Sequence, residues 1–258
     1  MKTYEFEFTT EFLFDKPIIN HNFILKCMPK NNGCQRIFDE KLTILPSCRY
    51  SYGEDSFGNI TVSASLPHEH SAFSFSVKGK ACLGRYKILE YLDTIYLYPS
   101  PKTKLSPEME SFLEGLKLDE TADIPWAVSE AVADYMTYEK GVTDAETTAE
   151  EAFALKKGVC QDYAQITAAL LRKAGIPARY AAGFIEGDGE THAWVEYYKD
   201  GAWYGVDPTN RKTTDYGYIK LGHGRDASDC SVERGCFASN MGFVNQETNI
   251  SVKVSEIL

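Results

Sequence analysis

A chain of 258 residues is long enough for one large domain or two modest ones. With 43% hydrophobic and 25% charged residues it has the make-up of a folded globular protein and not of a disordered chain. Its 37 acids against 27 Lys and Arg leave a formal net charge of −10 with no lysine-rich run, which disfavours duplex nucleic acid and anionic membranes as partners.

The chain opens on Met1-Lys2-Thr3-Tyr4-Glu5-Phe6-Glu7-Phe8, which alternates polar and apolar residues and lacks the continuous apolar stretch of a signal peptide. No window approaches the roughly 18 apolar residues of a membrane span. The expectation is therefore a soluble, cytoplasmic protein. Its seven cysteines, at 27, 34, 48, 82, 160, 230 and 236, are an odd number and contain no Cys-x-x-Cys pair, so reduced thiols and no metal site are expected.

From Thr3 to about Val77 short apolar runs are broken by Pro17, Asn31-Asn32-Gly33, Pro46 and Gly58-Asn59. Tyr4, Phe6 and Phe8 share one face of a period-two segment, as do Ile60, Val62 and Ala64, and Phe73, Phe75 and Val77. The pattern predicts an amino-terminal antiparallel β-sandwich over residues 1–85. It also assigns most of the 13% aromatic residues to sheet faces and not to a carbohydrate site. His68-Glu69-His70 could offer two metal ligands on one strand face, but it follows Pro67 with no third ligand in reach, and it reads as a solvated turn.

Residues 86–105 read as a connection marked by Pro99-Ser100-Pro101, and a second domain follows over 106–258. Ser106-Pro107-Glu108 starts a helix, with a capping serine, a proline at the first helical position and acid in the first turn. Pro125 begins another, whose Trp126, Ala133 and Met136 share an inner face. Thr147 with Glu150, and Thr148 with Glu151, offer overlapping capping boxes for a third helix ending at Gly158. No internal repeat or low-complexity tract is present.

Cys160, Ala164, Thr167, Ala168, Leu171 and Ala174 recur at helical spacing between Gly158 and the Gly175/Pro177 stop. Cys160 thus falls in a first helical turn, where free amide donors and the helix dipole favour a negative charge, the form in which a thiol is a nucleophile. The bland alternative is a packed thiol. Next, Ala178–Ile185 reads as a strand, Glu186–Gly189 as a turn, His192–Tyr198 as a second strand and Trp203–Val206 as a third, closing at Asp207. Alternation puts His192 and Trp194 on one face and Ala193 and Val195 on the other. In an antiparallel hairpin the start of one strand lies beside the end of its neighbour, so His192 and Asp207 can meet. A carboxylate there would fix the imidazole tautomer and stabilise the imidazolium.

Four blocks carry a resemblance: Gly158-Val159-Cys160-Gln161-Asp162-Tyr163-Ala164, the stretch from Leu171 to Tyr180, Thr191-His192-Ala193-Trp194-Val195-Glu196, and Val206-Asp207-Pro208-Thr209-Asn210. In this order they resemble the bacterial branch of the transglutaminase-like superfamily. Gly224-Arg225-Asp226, Ser231–Gly235 and, near the amino terminus, Asp55–Asn59 extend the likeness over nearly the whole chain. The resemblance implies an α+β fold in which the β-sandwich precedes a papain-like transglutaminase core of helices packed on an antiparallel sheet. It further implies Cys160 as nucleophile, His192 as base and Asp207 as orienting acid, with the Cys160 backbone amide in the oxyanion hole, and acyl transfer from amides without metal or organic cofactor. Cysteine protease or amidase activity on a peptide or protein substrate is the usual inference for this branch, with transamidation less often expected. Nothing resembles the calcium-binding loops of eukaryotic transglutaminases.

On this reading Trp194 is a wall of the substrate cleft, Glu196 is structural, Trp126 is a core residue and not an oxyanion donor, and Cys230 and Cys236 are packed or exposed thiols. Two classes stay open: an enzyme passing an acyl group through a thioester at Cys160, and a catalytically idle binding or scaffold module. Such a module would be expected to lack one of the three residues, and all three are present. The sequence sets neither the oligomeric state nor the substrate.

Overall fold

The computed structural model describes residues 1–121 and 123–257. Five strands come first: β1 (Lys2–Leu25), β2 (Gln35–Leu45), β3 (Tyr50–Glu54), β4 (Ile60–Leu66) and β5 (His70–Leu83). Helices α1 (Pro107–Gly115), α2 (Ile124–Tyr135), α3 (Ala149–Leu155) and α4 (Cys160–Lys173) follow. The two-residue strands β6 (Thr137–Tyr138) and β7 (Lys157–Gly158) flank α3. Next are β8 (Ala178–Ile185), β9 (Gly187–Gly189), β10 (His192–Lys199), β11 (Ala202–Asp207), β12 (Lys212–Thr213) and β13 (Tyr218–Gly224), and the chain closes with β14 (Glu233–Ala238) and β15 (Gln246–Ile257). Among the described residues only the β6–β7 pair is parallel, so the fold is mixed α/β with mostly antiparallel sheets.

The period-two apolar pattern produces the first core. Tyr4, Phe6 and Phe8 are at most 1% exposed, and in the β1–β5 ladder Val77 lies opposite Phe8, Phe75 opposite Thr10 and Phe73 opposite Phe12. The first half of β1 pairs with β5 and β15, and its second half with β4 and β14. Phe23 of that second half lies 4.5 Å from Phe73 of β5, so the inward faces of the two halves meet in one aromatic core. Pro17 does not break β1. It lies where the register against β5 shifts between Leu13 and Ile18, an irregularity at which a missing N–H is tolerated.

The last two strands, read from sequence as part of the second domain, hydrogen-bond to β1. Without β15 the first half of β1 would have an unpaired edge, and β15 also places Val252 and Val254 in the aromatic core. Glu186–Gly189, expected as a turn, contains strand β9, which pairs with β15 through Gly187↔Val254 and Gly189↔Val252. A local window cannot show this, because the partner lies more than 60 residues away in the chain.

The second sheet has the order β12-β11-β10-β8-β13. Its β10 puts Ala193 and Val195 against α4 and sends Trp194 to the opposite side, as alternation predicts. Helix α4 is buried continuously from Asp162 to Arg172, so it is a central helix and not a surface one. The predicted caps form at Ser106 and at Thr148, where the Thr148–Glu151 box is complete. Helix α2 starts one residue before Pro125, capped by Asp123. The two sheets adjoin: Phe184 of β8 packs 5.0 Å from Phe8 of β1.

Candidate active site

Helix α3 stops at Lys156, whose backbone is left-handed (φ 56), and β7 then pairs with β6, setting Gly158 beside Tyr138. The Asp162 carboxylate turns back on this segment, Oδ2 accepting the Val159 amide at 2.8 Å and the Thr143 hydroxyl at 2.7 Å. A Cβ on Gly158 would sit 2.4 Å from Asp162 Oδ2, so glycine is required for the close approach. Burial pushes the Asp162 carboxyl up, and these two bonds act in the opposite direction. Cys160 follows as the first residue of α4, a half-buried free thiol.

His192 begins β10 and Asp207 ends β11. Asp207 lies one step past the Val195↔Val206 pair, on the face that carries His192, and His192 Nε2 meets Asp207 Oδ2 at 2.7 Å. Asp207 is fully buried but well satisfied. Its Oδ1 accepts the amides of Thr209 (3.0 Å) and Asn210 (3.1 Å), and its Oδ2 accepts the Tyr218 hydroxyl (2.6 Å) and the Asn210 side-chain amide (2.7 Å). Burial would raise the Asp207 carboxyl, but His192, Tyr218 and Asn210 outweigh it and hold it below its usual value. Burial likewise opposes charge on His192. Hydrogen bonding to Asp207 and Cys160, with attraction to both, wins and lifts its pKa from 6.5 to about 9.

Cys160 and His192 line one cleft of about 880 Å³, together with Tyr138, Tyr180, Gly187–Gly189, Ile250 and Val252. Strand β15 thus supplies part of the cleft although it belongs to the amino-terminal sheet.

Trp194 corrects the sequence reading. It is 0% exposed and does not line the cleft. From its place two residues deeper along β10 its indole stacks near the His192 ring (6.4 Å, 21°) and donates to the Tyr86 hydroxyl at 3.0 Å. Glu196 is the centre of a buried ion cluster. It accepts Tyr86 (2.5 Å), both carboxylate oxygens bind Lys220 (2.9 and 2.8 Å), and Arg179 pairs with it. Burial opposes its charge, yet Arg179 and Lys220 hold its pKa near 2.

Trp126 packs, partly buried, against the helical core. Cys230 is buried at the cleft, where desolvation raises its thiol pKa, and Cys236 is exposed. His68 and Glu69 are exposed, while His70 starts β5 and approaches His21 at 3.4 Å. Sequence reasoning missed Tyr218 and Asn210. Asn210, three residues after Asp207, carried a turn signal, whereas Tyr218 lies on β13 and reaches Asp207 only through the tertiary fold.

Residues 112–208 match the model of the transglutaminase-like superfamily, and residues 4–81 that of the bacterial transglutaminase-like N-terminal region. The chain thus carries a transglutaminase-like superfamily core preceded by a bacterial transglutaminase-like N-terminal region. An uncharacterised protein of Mycobacterium leprae is 24% identical over 256 residues, covering 89% of this chain and 91% of that one. A protein-glutamine gamma-glutamyltransferase of Pseudomonas aeruginosa is 36% identical over 86 residues, 28% of this chain and 13% of that protein. The crystal structure of a candidate cysteine protease from Cytophaga hutchinsonii shares the fold, with a TM-score of 0.78 at 21% identity over 99% of this chain and 91% of that one.

Proposed function

We propose that the protein is a cysteine-dependent acyl-transfer enzyme that attacks a peptide or side-chain amide through Cys160 and hydrolyses the resulting thioester. The observation that carries this reading is the buried His192–Asp207 hydrogen bond of 2.7 Å opening on the same cleft as a thiol at a helix start. An imidazole with a pKa of about 9 is protonated near neutrality, and the nucleophile is the Cys160 sulfur in its thiolate form. The Cys160 sulfur forms a bond to the amide carbon, and the carbonyl oxygen takes the charge, facing the Cys160 backbone amide. As the C–N bond breaks, His192 gives its proton to the departing amine. Water then attacks the thioester, His192 takes its proton, and the carboxylic acid leaves as the thiolate is regenerated.

Transamidation differs only in having an amine in place of that water, and the Pseudomonas relative's name supports it as the second reading. An idle scaffold is disfavoured because Cys160, His192 and Asp207 are all present. The same proposal takes the substrate to be a peptide or protein, the amino-terminal sheet to be a sandwich around its aromatic core, and the protein to act in a reducing compartment such as the cytoplasm. The test is capture of the acyl-enzyme from a peptide library, with mass spectrometry of the adduct and the released product. An adduct on Cys160 that yields a free acid supports hydrolysis, an amide product supports transamidation, and no adduct on Cys160 rejects both.

A further inference from the structure

Strand β9 lies at one end of the amino-terminal sheet, beyond β15. It pairs with β15 on one side, and among the described residues no strand pairs with its other edge. Such an edge presents unpaired amide and carbonyl groups and is a template for one more strand. All three of its residues are exposed and all three line the cleft. A Cβ on Gly189 would meet nothing within 4 Å, so the face of the strand there is open to the cleft.

We propose that the acyl-donor peptide binds in extended form by adding a strand to the free edge of β9, with a lysine or arginine side chain beside Glu186 and Asp188. This deepens the acyl-transfer reading and rests on it. Main-chain hydrogen bonds would hold peptides of varied sequence, and alternate side chains would be selected. His192 lies three residues beyond Gly189, past a bend at Glu190 and so at most about 10 Å away at roughly 3.3 Å per residue, within reach of a carbonyl a few residues farther along a peptide paired with β9. The charge preference has a specific source. Lys140 neutralises Glu190 at 2.9 Å, whereas among the described residues neither Glu186 nor Asp188 has an ion-pair partner, and both are exposed at the cleft.

Acetyl-tetrapeptide chloromethyl ketones built on alanine test the inference on the full chain. The Cys160 sulfur displaces chloride, and the rate of labelling reports binding of the peptide portion. Each amide is N-methylated in turn, and iodoacetamide labelling of Cys160 serves as the reference. Strand addition predicts a period-two pattern: methylation at alternate residues slows labelling about fivefold or more, and at the intervening residues has little effect. A lysine in the peptide should be favoured over a glutamate by about tenfold, and Asp188→Lys should reverse that order. A flat methylation scan, with iodoacetamide still labelling Cys160, overturns strand addition and leaves the acyl-transfer reading standing. An inert Cys160 with every reagent overturns both.

Discussion

The charge on His192 is set by Asp207, and Asp207 is set by Tyr218 and Asn210. Asp207→Asn keeps the shape but removes the attraction that holds the imidazolium. Turnover, or the second-order rate of Cys160 alkylation as its proxy, is expected to fall about ten- to a thousandfold, less than in a serine enzyme. An unchanged pH–rate profile would show that Asp207 does not govern His192. The same shift predicts a pH dependence of stability. A histidine raised from 6.5 to about 9 on folding contributes stability that is complete below about pH 6.5 and is lost as pH rises through 9. The ceiling is about 3 kcal/mol, from about 1.4 kcal/mol per pKa unit. Urea titrations at pH 6 and 9.5 should show this loss in the wild type and little of it in Asp207→Asn.

Glu196 is legible as a family residue, but its work is electrostatic. Its carboxylate is 0% exposed between Arg179 and Lys220, so Glu196→Gln strands the buried Lys220 and leaves Arg179 with only the partly exposed Glu90. A destabilisation of about 3–5 kcal/mol is expected in equilibrium denaturation. A shift below 1 kcal/mol would mean that water already solvates the cluster. Because its pKa is depressed to about 2, its contribution is present above the usual 4.5 and disappears as pH falls through 2.

At the scale of elements, the turn between β7 and α4 decides where the thiol points. The Val159 amide and the Thr143 hydroxyl both bind Asp162 Oδ2, and Gly158 leaves room for that carboxylate. Gly158→Ala must displace either the turn or Asp162. Misplacement of reacting groups by about 1 Å can cost on the order of a hundredfold, so alkylation of Cys160 should slow by about ten- to a hundredfold while circular dichroism stays native. Wild-type reactivity in a folded Gly158→Ala protein would show that this turn tolerates a side chain. Helix starts at Ser106 and Thr148 were readable from capping residues alone, because caps are local hydrogen bonds. Strand β9 was not, since it exists only by pairing with a partner at the far end of the chain.

At the scale of the whole molecule, β15 ties the amino-terminal sheet to the cleft. It forms twelve residue pairs with β1 and places Ile250 and Val252 at the cleft. Deletion of residues 246–258 would leave β1 with a long unpaired apolar edge, a setting that promotes aggregation. The truncated protein is expected to lose solubility or to melt well below the full chain by calorimetry. A soluble truncation with the wild-type melting temperature would show that β15 is dispensable to the sheet.

The sequence by itself determined the antiparallel strands, the capped helices and the identities of Cys160, His192 and Asp207 as candidates. Periodicity, caps and strand ends are local consequences of side-chain chemistry, and four motif blocks kept their order. Tertiary structure decided that Trp194 lies behind His192 and not in the cleft, because alternation fixes a face but not its depth. It also decided that Tyr218 and Asn210 complete the Asp207 shell, and that residues 246–257 close the sheet that residues 2–14 begin. Those contacts join positions far apart in the chain, and their energies come from burial and pairing that no local window contains.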